Sequence, residues 1–218
     1  MRILTWDEVV ERLEAGLRAL PGVEAQLRMA PRPRPGWKPR YSPEECRPAA
    51  ALLLLYPRDG EATVVLTVRA VHLPQHSGQV SLPGGMVEPG ETLVDAALRE
   101  AREEVGIDPS QVTVLGTLTP IHIPVSGFTL YPIVGTSLVR PDLKPEENEV
   151  ARVLEIALGD VIDPVRHRRS LRTRDGADFD VPYFDLDGET VWGATAMVLS
   201  EFAAVLGHPP DPWSDRVS

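Results

Sequence analysis

Glu100, Glu103 and Glu104 are the residues whose spacing could do chemistry. They close the stretch GGMVEPGETLVDAALREAREEVGI, Gly84 to Ile107. Residues three and four apart share a helix face, so the three carboxylates can converge. Such crowding is unfavourable unless a cation neutralises it. An all-oxygen set suits Mg²⁺ or Mn²⁺ rather than zinc. Spacing alone is equally compatible with an acidic, solvated helix.

The carboxylates need a helix, and the sequence predicts one over roughly Thr92 to Val105. Leu93, Ala96, Ala97, Leu98 and Ala101 give it an apolar side. Pro89-Gly90 marks a turn before it. Gly106 stands where a helix-ending glycine is expected. The segment before Thr92 reads as a glycine- and proline-rich loop.

Gly85, five residues, Glu91, seven residues, then Arg99-Glu100-Ala101-Arg102-Glu103-Glu104-Val105-Gly106-Ile107 resembles the Nudix hydrolase box. Ala101 is smaller than the usual aliphatic. The resemblance implies hydrolysis of nucleoside diphosphates linked to another moiety, with a divalent metal. It also implies an α/β fold, the Nudix α/β/α sandwich with a mixed central β-sheet. By the same analogy Glu100 and Glu104 coordinate metal directly, and Glu103 binds a second metal or orients water. The Gly84 carbonyl is a further ligand, and Arg99 orients Glu91 or Glu100. Glu149, in Asn148-Glu149-Val150, is similar to an additional catalytic or metal-binding carboxylate of the family; its other reading is to position the following strand.

A second layer lies upstream. LTVRAVHLPQHSGQVSLPGG, Leu66 to Gly85, resembles the signature of coenzyme A diphosphatases through Arg69, Leu73, His76, Gly78, Gln79, Val80, Pro83, Gly84 and Gly85. It departs at Leu82, Pro74 and Glu91. TPIHIPVSGFTLYPIVG, Thr119 to Gly135, and Trp192 to Ala196 are similar to elements of the same subgroup. The subgroup implies coenzyme A or a thioester as substrate, cleaved to 3',5'-adenosine diphosphate and 4'-phosphopantetheine or its acyl form. Arg69, His76, Gln79, Gly84 and Gly85 are the substrate-binding candidates it suggests, and a homodimer is its implied assembly. Competing readings keep the chemistry but change the substrate to ADP-ribose, a dinucleotide or a nucleoside triphosphate, or make the chain a non-catalytic nucleotide sensor.

Composition sets limits. A chain of 218 residues can bury a substantial core, and one domain over 1–218 is the default. A net charge of -10 argues against nucleic acid as partner and requires metal or clustered arginines wherever phosphate binds. No run approaches a membrane span, and the N-terminus lacks a secretory signature. Cys46 is the single cysteine, which fits a cytoplasmic protein.

The remaining chain divides readily. Residues 5 to 20 read as an amphipathic helix, capped by Thr5 with Glu8 in the capping-box position and ended by Pro21-Gly22. The proline-rich segment 31–48 carries Arg32, Arg34, Lys38, Arg40 and Arg47, as an extended connection or a phosphate contact. Ala49 to Tyr56 reads as a buried strand, Asp59-Gly60 as a hairpin turn and Ala62 to Val68 as its partner. Strands follow over Val80 to Leu82, Gln111 to Leu118, Phe128 to Val134 and Val150 to Ile156. Pro132 suggests an edge or a bulge. Arg166 to Arg174 is a dense basic run, read as a solvated loop or a phosphate contact. Asp175-Gly176 and Asp187-Gly188 suggest turns. A final helix reaches about Leu206, and residues 207–218 are expected to fray.

Overall fold

The computed structural model describes residues 4–32, 40–72, 78–174 and 177–213. His76, Leu73, Pro74, Arg34, Lys38 and the Asp175-Gly176 turn lie outside them. Helix α1 (Trp6–Gly16) opens on the expected capping box: Glu8 N donates to Thr5 Oγ1, and the Glu8 carboxylate accepts from Thr5 N at 3.0 Å. It ends short of Leu20. Pro21 then starts a helix instead of only stopping one, as the N-cap of α2 (Gly22–Leu27).

The central sheet is built around β1 (Arg47–Arg58), whose middle is fully buried. Asp59 and Gly60 both have positive φ, 52° and 85°, as a twist-matched two-residue hairpin turn requires. They join β1 to β2 (Glu61–Arg69), which pairs at its far end with β3 (Val80–Ser81). Gly84 to Met86 was expected as loop but forms a short strand, β4 (Gly84–Met86), antiparallel to Ala49–Ala51 of β1. Ladder hydrogen bonds use only backbone, so glycine composition hid the pairing.

After helix α3 (Leu93–Val105) come β5 (Thr113–Thr117), β6 (Ile121–Ile123), β7 (Phe128–Thr136) and β8 (Val150–Ala157). β7 runs parallel to β1 along nine register pairs, which makes the sheet mixed. The order is β3-β2-β1-β7-β5, with β4 on β1, β6 on β7 and β8 on β2. Pro132 lies on neither an edge nor a bulge. β6 pairs with residues up to Leu130 and β5 resumes at Ile133, so the missing amide falls at the junction between them.

Helix α4 (Leu158–Ile162) leads to a separate three-stranded sheet of β9 (His167–Arg174), β10 (Ala177–Leu186) and β11 (Glu189–Trp192). The basic run is therefore strand, not loop. Its arginines are engaged locally: Arg166 with Asp160 at 3.3 Å, Arg168 with Asp185 at 3.4 Å, and Arg172 over the Trp192 ring at 4.4 Å. Asp187 and Gly188 make the expected turn, with φ of 50° and 77°.

Helix α5 (Gly193–Val205) completes the layers. Ala50, Leu52, Leu54 and Tyr56 of β1 pack with Ala96, Ala97, Ala101 and Val105 of α3. The alternate residues Ala51, Leu53 and Leu55 belong to the opposite core with Val9 and Leu13 of α1 and Phe202 and Leu206 at the end of α5. The chain end is held as far as Trp213, whose Nε1 donates to Arg28 O at 3.1 Å and whose ring lies 3.7 Å from the Arg32 guanidinium. No helix among the described residues is long and apolar enough to cross a membrane.

Candidate active site

Helix α3 is fixed at both ends before it contributes any chemistry. Thr92 Oγ1 accepts from Asp95 N at 3.1 Å, and the Asp95 carboxylate accepts from Thr92 N at 3.3 Å. Gly106 ends the helix in the left-handed region, φ 75°. The segment between β7 and β8 binds the open carbonyls: Lys144 N donates to Val105 O at 2.9 Å, and Glu146 N to Glu104 O at 2.8 Å. The same segment is fastened to the end of β2 by Ala70 N donating to Glu149 O at 2.9 Å. Two anchors thus bring Glu149 within electrostatic reach of Glu100 and Glu104.

Strand β4 presents its glycines to the helix. Val87 N and Leu52 N donate across the β1 pairing, to Pro48 O at 3.2 Å and Pro83 O at 2.9 Å. Alternation then turns the Gly84 peptide groups to the outer edge. There Gly84 N donates to Glu104 Oε2 at 3.1 Å. A Cβ on Gly84 would collide with β1 backbone at Ala50 and Ala51, and one on Gly85 with the Glu100 carboxylate.

Arg99 ties loop and helix together. Its Nε and Nη2 form a fork on Glu91, at 2.7 and 3.1 Å. Nη1 reaches Glu100 at 2.9 Å and Glu103 at 3.0 Å, and Nη2 also donates to Met86 O at 3.0 Å. The Met86 contact had no sequence signal, because its acceptor is a backbone carbonyl on the strand misread as loop. Glu103 is turned toward Arg99 and its side chain is 60% exposed, whereas Glu104 is 4% exposed.

Electrostatics single out Glu104 and, less strongly, Glu100. Burial pushes Glu104 up to about 7; the Gly84 amide and Arg69 oppose this, and the Glu100 and Glu149 charges add to it. Glu100 is also raised, by burial first, against Arg99 and with Glu103 and Glu149 adding. Glu91 is lowered, chiefly by its Arg99 bonds. Arg69 Nη1 stands 3.8 Å from Glu104 Oε1, an ion pair too long for a hydrogen bond, and its buried Nε has no partner. Gln79 meets Arg69 through the backbone, its carbonyl accepting from Arg69 N at 3.0 Å.

Among the described residues no three Asp, Glu, His or Cys side chains stand as a ready metal cluster. The oxygens at hand are the buried Glu104 carboxylate, the half-buried Glu100, the exposed Glu149 and the outward Gly84 carbonyl. This donor set fits a hard divalent cation, because Glu104 is buried with excess acidic charge around it. Beside it, on the outer side of α3, Glu91, Arg99, Arg102 and Glu103 line an open cleft of about 660 Å³.

The family model of the NUDIX domain matches residues 46–173. The uncharacterized Nudix hydrolase NudL of Salmonella paratyphi B (strain ATCC BAA-1250 / SPB7) is 38% identical over 164 residues, covering 74% of this chain and 84% of the relative. Its counterpart in Salmonella newport (strain SL254) matches equally. Among solved structures, a Nudix hydrolase from M. smegmatis, RenU, is 29% identical with a TM-score of 0.45, covering 51% of this chain and 70% of that one. A MutT protein from Methanosarcina mazei Go1 is 20% identical with a TM-score of 0.49, covering 75% and 97%.

Proposed function

The chain belongs to the Nudix family of pyrophosphate hydrolases, and we propose that its substrate is coenzyme A or a coenzyme A thioester. The supporting observation is the ion pair of Arg69 with Glu104. Arg69 belongs to the Leu66–Gly85 segment that resembles coenzyme A diphosphatases, and it stands at the most buried carboxylate of α3. In this reading a residue of the segment that resembles coenzyme A diphosphatases lies beside the carboxylates that serve hydrolysis.

Water attacks one phosphorus of the pyrophosphate. A new P–O bond forms, the bridging P–O bond breaks, and the leaving phosphate takes the electron pair. The products are 3',5'-adenosine diphosphate and 4'-phosphopantetheine, or its acyl form. Nudix enzymes generally use divalent ions such as Mg²⁺ or Mn²⁺; when bound, the ion polarises the phosphoryl oxygens and lowers the pKa of water. Glu100, Glu104, Glu149 and the Gly84 carbonyl would hold it, with Glu103 at the rim. Arg99 acts through others: its hydrogen bonds fix Glu100, Glu91 and the Met86 carbonyl in mutual register. Arg69 offers positive charge to the pyrophosphate from the side of β2. Gly84 and Gly85 leave the room the carboxylates need. A cytoplasmic homodimer accompanies this reading.

Hydrolysis of coenzyme A in ¹⁸O-labelled water, with Mg²⁺ or Mn²⁺, tests it. The expected result is the two named products, with label in one of them only. Faster turnover of ADP-ribose than of any coenzyme A species contradicts the substrate assignment.

A further inference from the structure

Strand β4 leads from the carboxylates to a second group of side chains. Arg47 and Phe128 are register partners on β1 and β7, and Met86 of β4 pairs with Ala49, two residues along β1. Strand alternation puts Arg47, Phe128 and Met86 on one face, the one away from α3. The Arg47 guanidinium lies 5.0 Å from the Phe128 ring centre, and that of Arg40 lies 5.4 Å from the Tyr41 ring. Tyr41 covers Gly127, where a Cβ would stand 3.2 Å from the ring. Tyr41 N donating to Pro124 O and Arg47 N donating to Gly127 O, at 3.2 and 3.0 Å, hold the two halves together. The group is local structure, not two stray surface arginines.

Glu44 and Glu45 lie between the two arginines in the chain, but neither pairs directly with them. Arg40 and Arg47 are exposed and make no ion pair among the described residues. By contrast Arg99, Arg140, Arg152, Arg166 and Arg168 are each paired with a carboxylate. In a chain of net charge -10, a guanidinium held against an aromatic ring keeps its N–H groups available for an anion. Position supplies the second argument. Arg47 is three residues along β1 from Ala50, the partner of Gly85, a span of about 10 Å. That is the reach of one nucleotide beyond its pyrophosphate, for a substrate that would pass round the β4 edge to the face away from α3. The border between the two groups is Met86, whose carbonyl Arg99 holds at 3.0 Å.

We propose that Arg47, supported by Phe128, Tyr41 and Arg40, binds the nucleotide end of the substrate. Arg47 takes a phosphomonoester on the ribose, and the rings pack against the base. This rests on the reading that the neighbouring carboxylates serve pyrophosphate cleavage. It adds a specificity determinant: the site distinguishes a nucleoside 3',5'-bisphosphate moiety from a simple 5'-nucleotide.

The test compares coenzyme A with 3'-dephospho-coenzyme A, which lacks only the ribose phosphate. Arg47→Gln is expected to lower kcat/KM for coenzyme A at least about tenfold, the scale of a lost charge-assisted contact, and to leave the dephospho compound within about twofold. Arg47→Lys falls between, and Arg18→Gln, an equal charge change on an exposed residue elsewhere, changes neither. Equal losses on both substrates, or no loss on either, overturn the proposal. Calorimetric binding of adenosine 3',5'-bisphosphate and adenosine 5'-monophosphate decides independently of turnover. Wild type is expected to prefer the bisphosphate by about tenfold, and Arg47→Gln to erase the preference. Equal affinities in wild type overturn the inference. Failure of wild type to hydrolyse coenzyme A defeats the proposed function alone, because the binding comparison still decides this one.

Discussion

Two glutamates on opposite sides of the sheet are almost completely buried, and they are treated very differently. Glu201 on α5 is 0% exposed and Glu104 on α3 is 3% exposed. Glu201 accepts four hydrogen bonds: from Gly22 N at 3.2 Å, Gln26 Nε2 at 2.8 Å, Thr119 N at 3.1 Å and Thr119 Oγ1 at 2.6 Å. Those donors come from α2 and from the turn before β6, so the carboxylate joins three separate segments. Glu104 accepts one amide bond, from Gly84, with Arg69 at 3.8 Å and two further carboxylates nearby. A buried acid without enough donors is costly. Glu201 is satisfied by four donors of its own fold, while Glu104 has one amide donor and a distant guanidinium. Acidity or burial alone would not separate the two; their partners do.

The largest way to break the contrast is Glu104→Gln. Steady-state kinetics on coenzyme A should show kcat/KM reduced on the order of 10³-fold, with the circular dichroism spectrum kept. Activity within tenfold of wild type would remove Glu104 from the site.

The pH dependence of the metal-free protein comes next. Glu104 rises from an ordinary 4.5 to about 7 on folding. Between those values the folded chain holds a proton that the unfolded chain has lost. Stability therefore falls as pH rises through that window, by on the order of 3 kcal/mol once it is complete. Glu104→Gln removes that slope, so urea unfolding at pH 5 and pH 8 should show the variant gaining on wild type at the higher pH. An unchanged difference between the two proteins at both pH values would sink the assignment.

Glu201→Gln should do the reverse. It turns an NH₂ toward donors, so thermal unfolding should report a loss of roughly 2 kcal/mol, while the folded protein keeps its kcat. The smallest effect is expected of Glu103→Gln. Its carboxylate is mostly exposed and paired with Arg99, and a loss of about tenfold in kcat/KM fits a contact at the rim. A loss as deep as that of Glu104→Gln would move Glu103 to the centre of the site.

What the sequence made legible follows from the range of the interactions. Local rules placed the Thr5 cap, the start of α3 near Thr92, the Gly106 stop and the Asp59-Gly60 hairpin, each of which is decided within a few residues. The Pro21-Gly22 pair was misread because a proline that cannot continue one helix can begin another. Gly84 to Met86 was misread because a strand held by its neighbour's backbone needs no side-chain pattern. The run of arginines in β9 hid a strand whose charges are balanced across the sheet and against Trp192. The resemblance named Glu104 and Arg69 separately, but not their pairing. The closure of Glu201 could not be read either, because its partners lie 82 to 179 residues away.

In the proposed reading Glu104, unlike Glu201, serves a cation. Calorimetric titration of Mn²⁺ into wild type, Glu104→Gln and Glu201→Gln at pH 8 addresses it directly. Binding should be present in wild type, weakened at least about tenfold in Glu104→Gln and retained in Glu201→Gln. Equal Mn²⁺ affinity in wild type and Glu104→Gln would contradict the account.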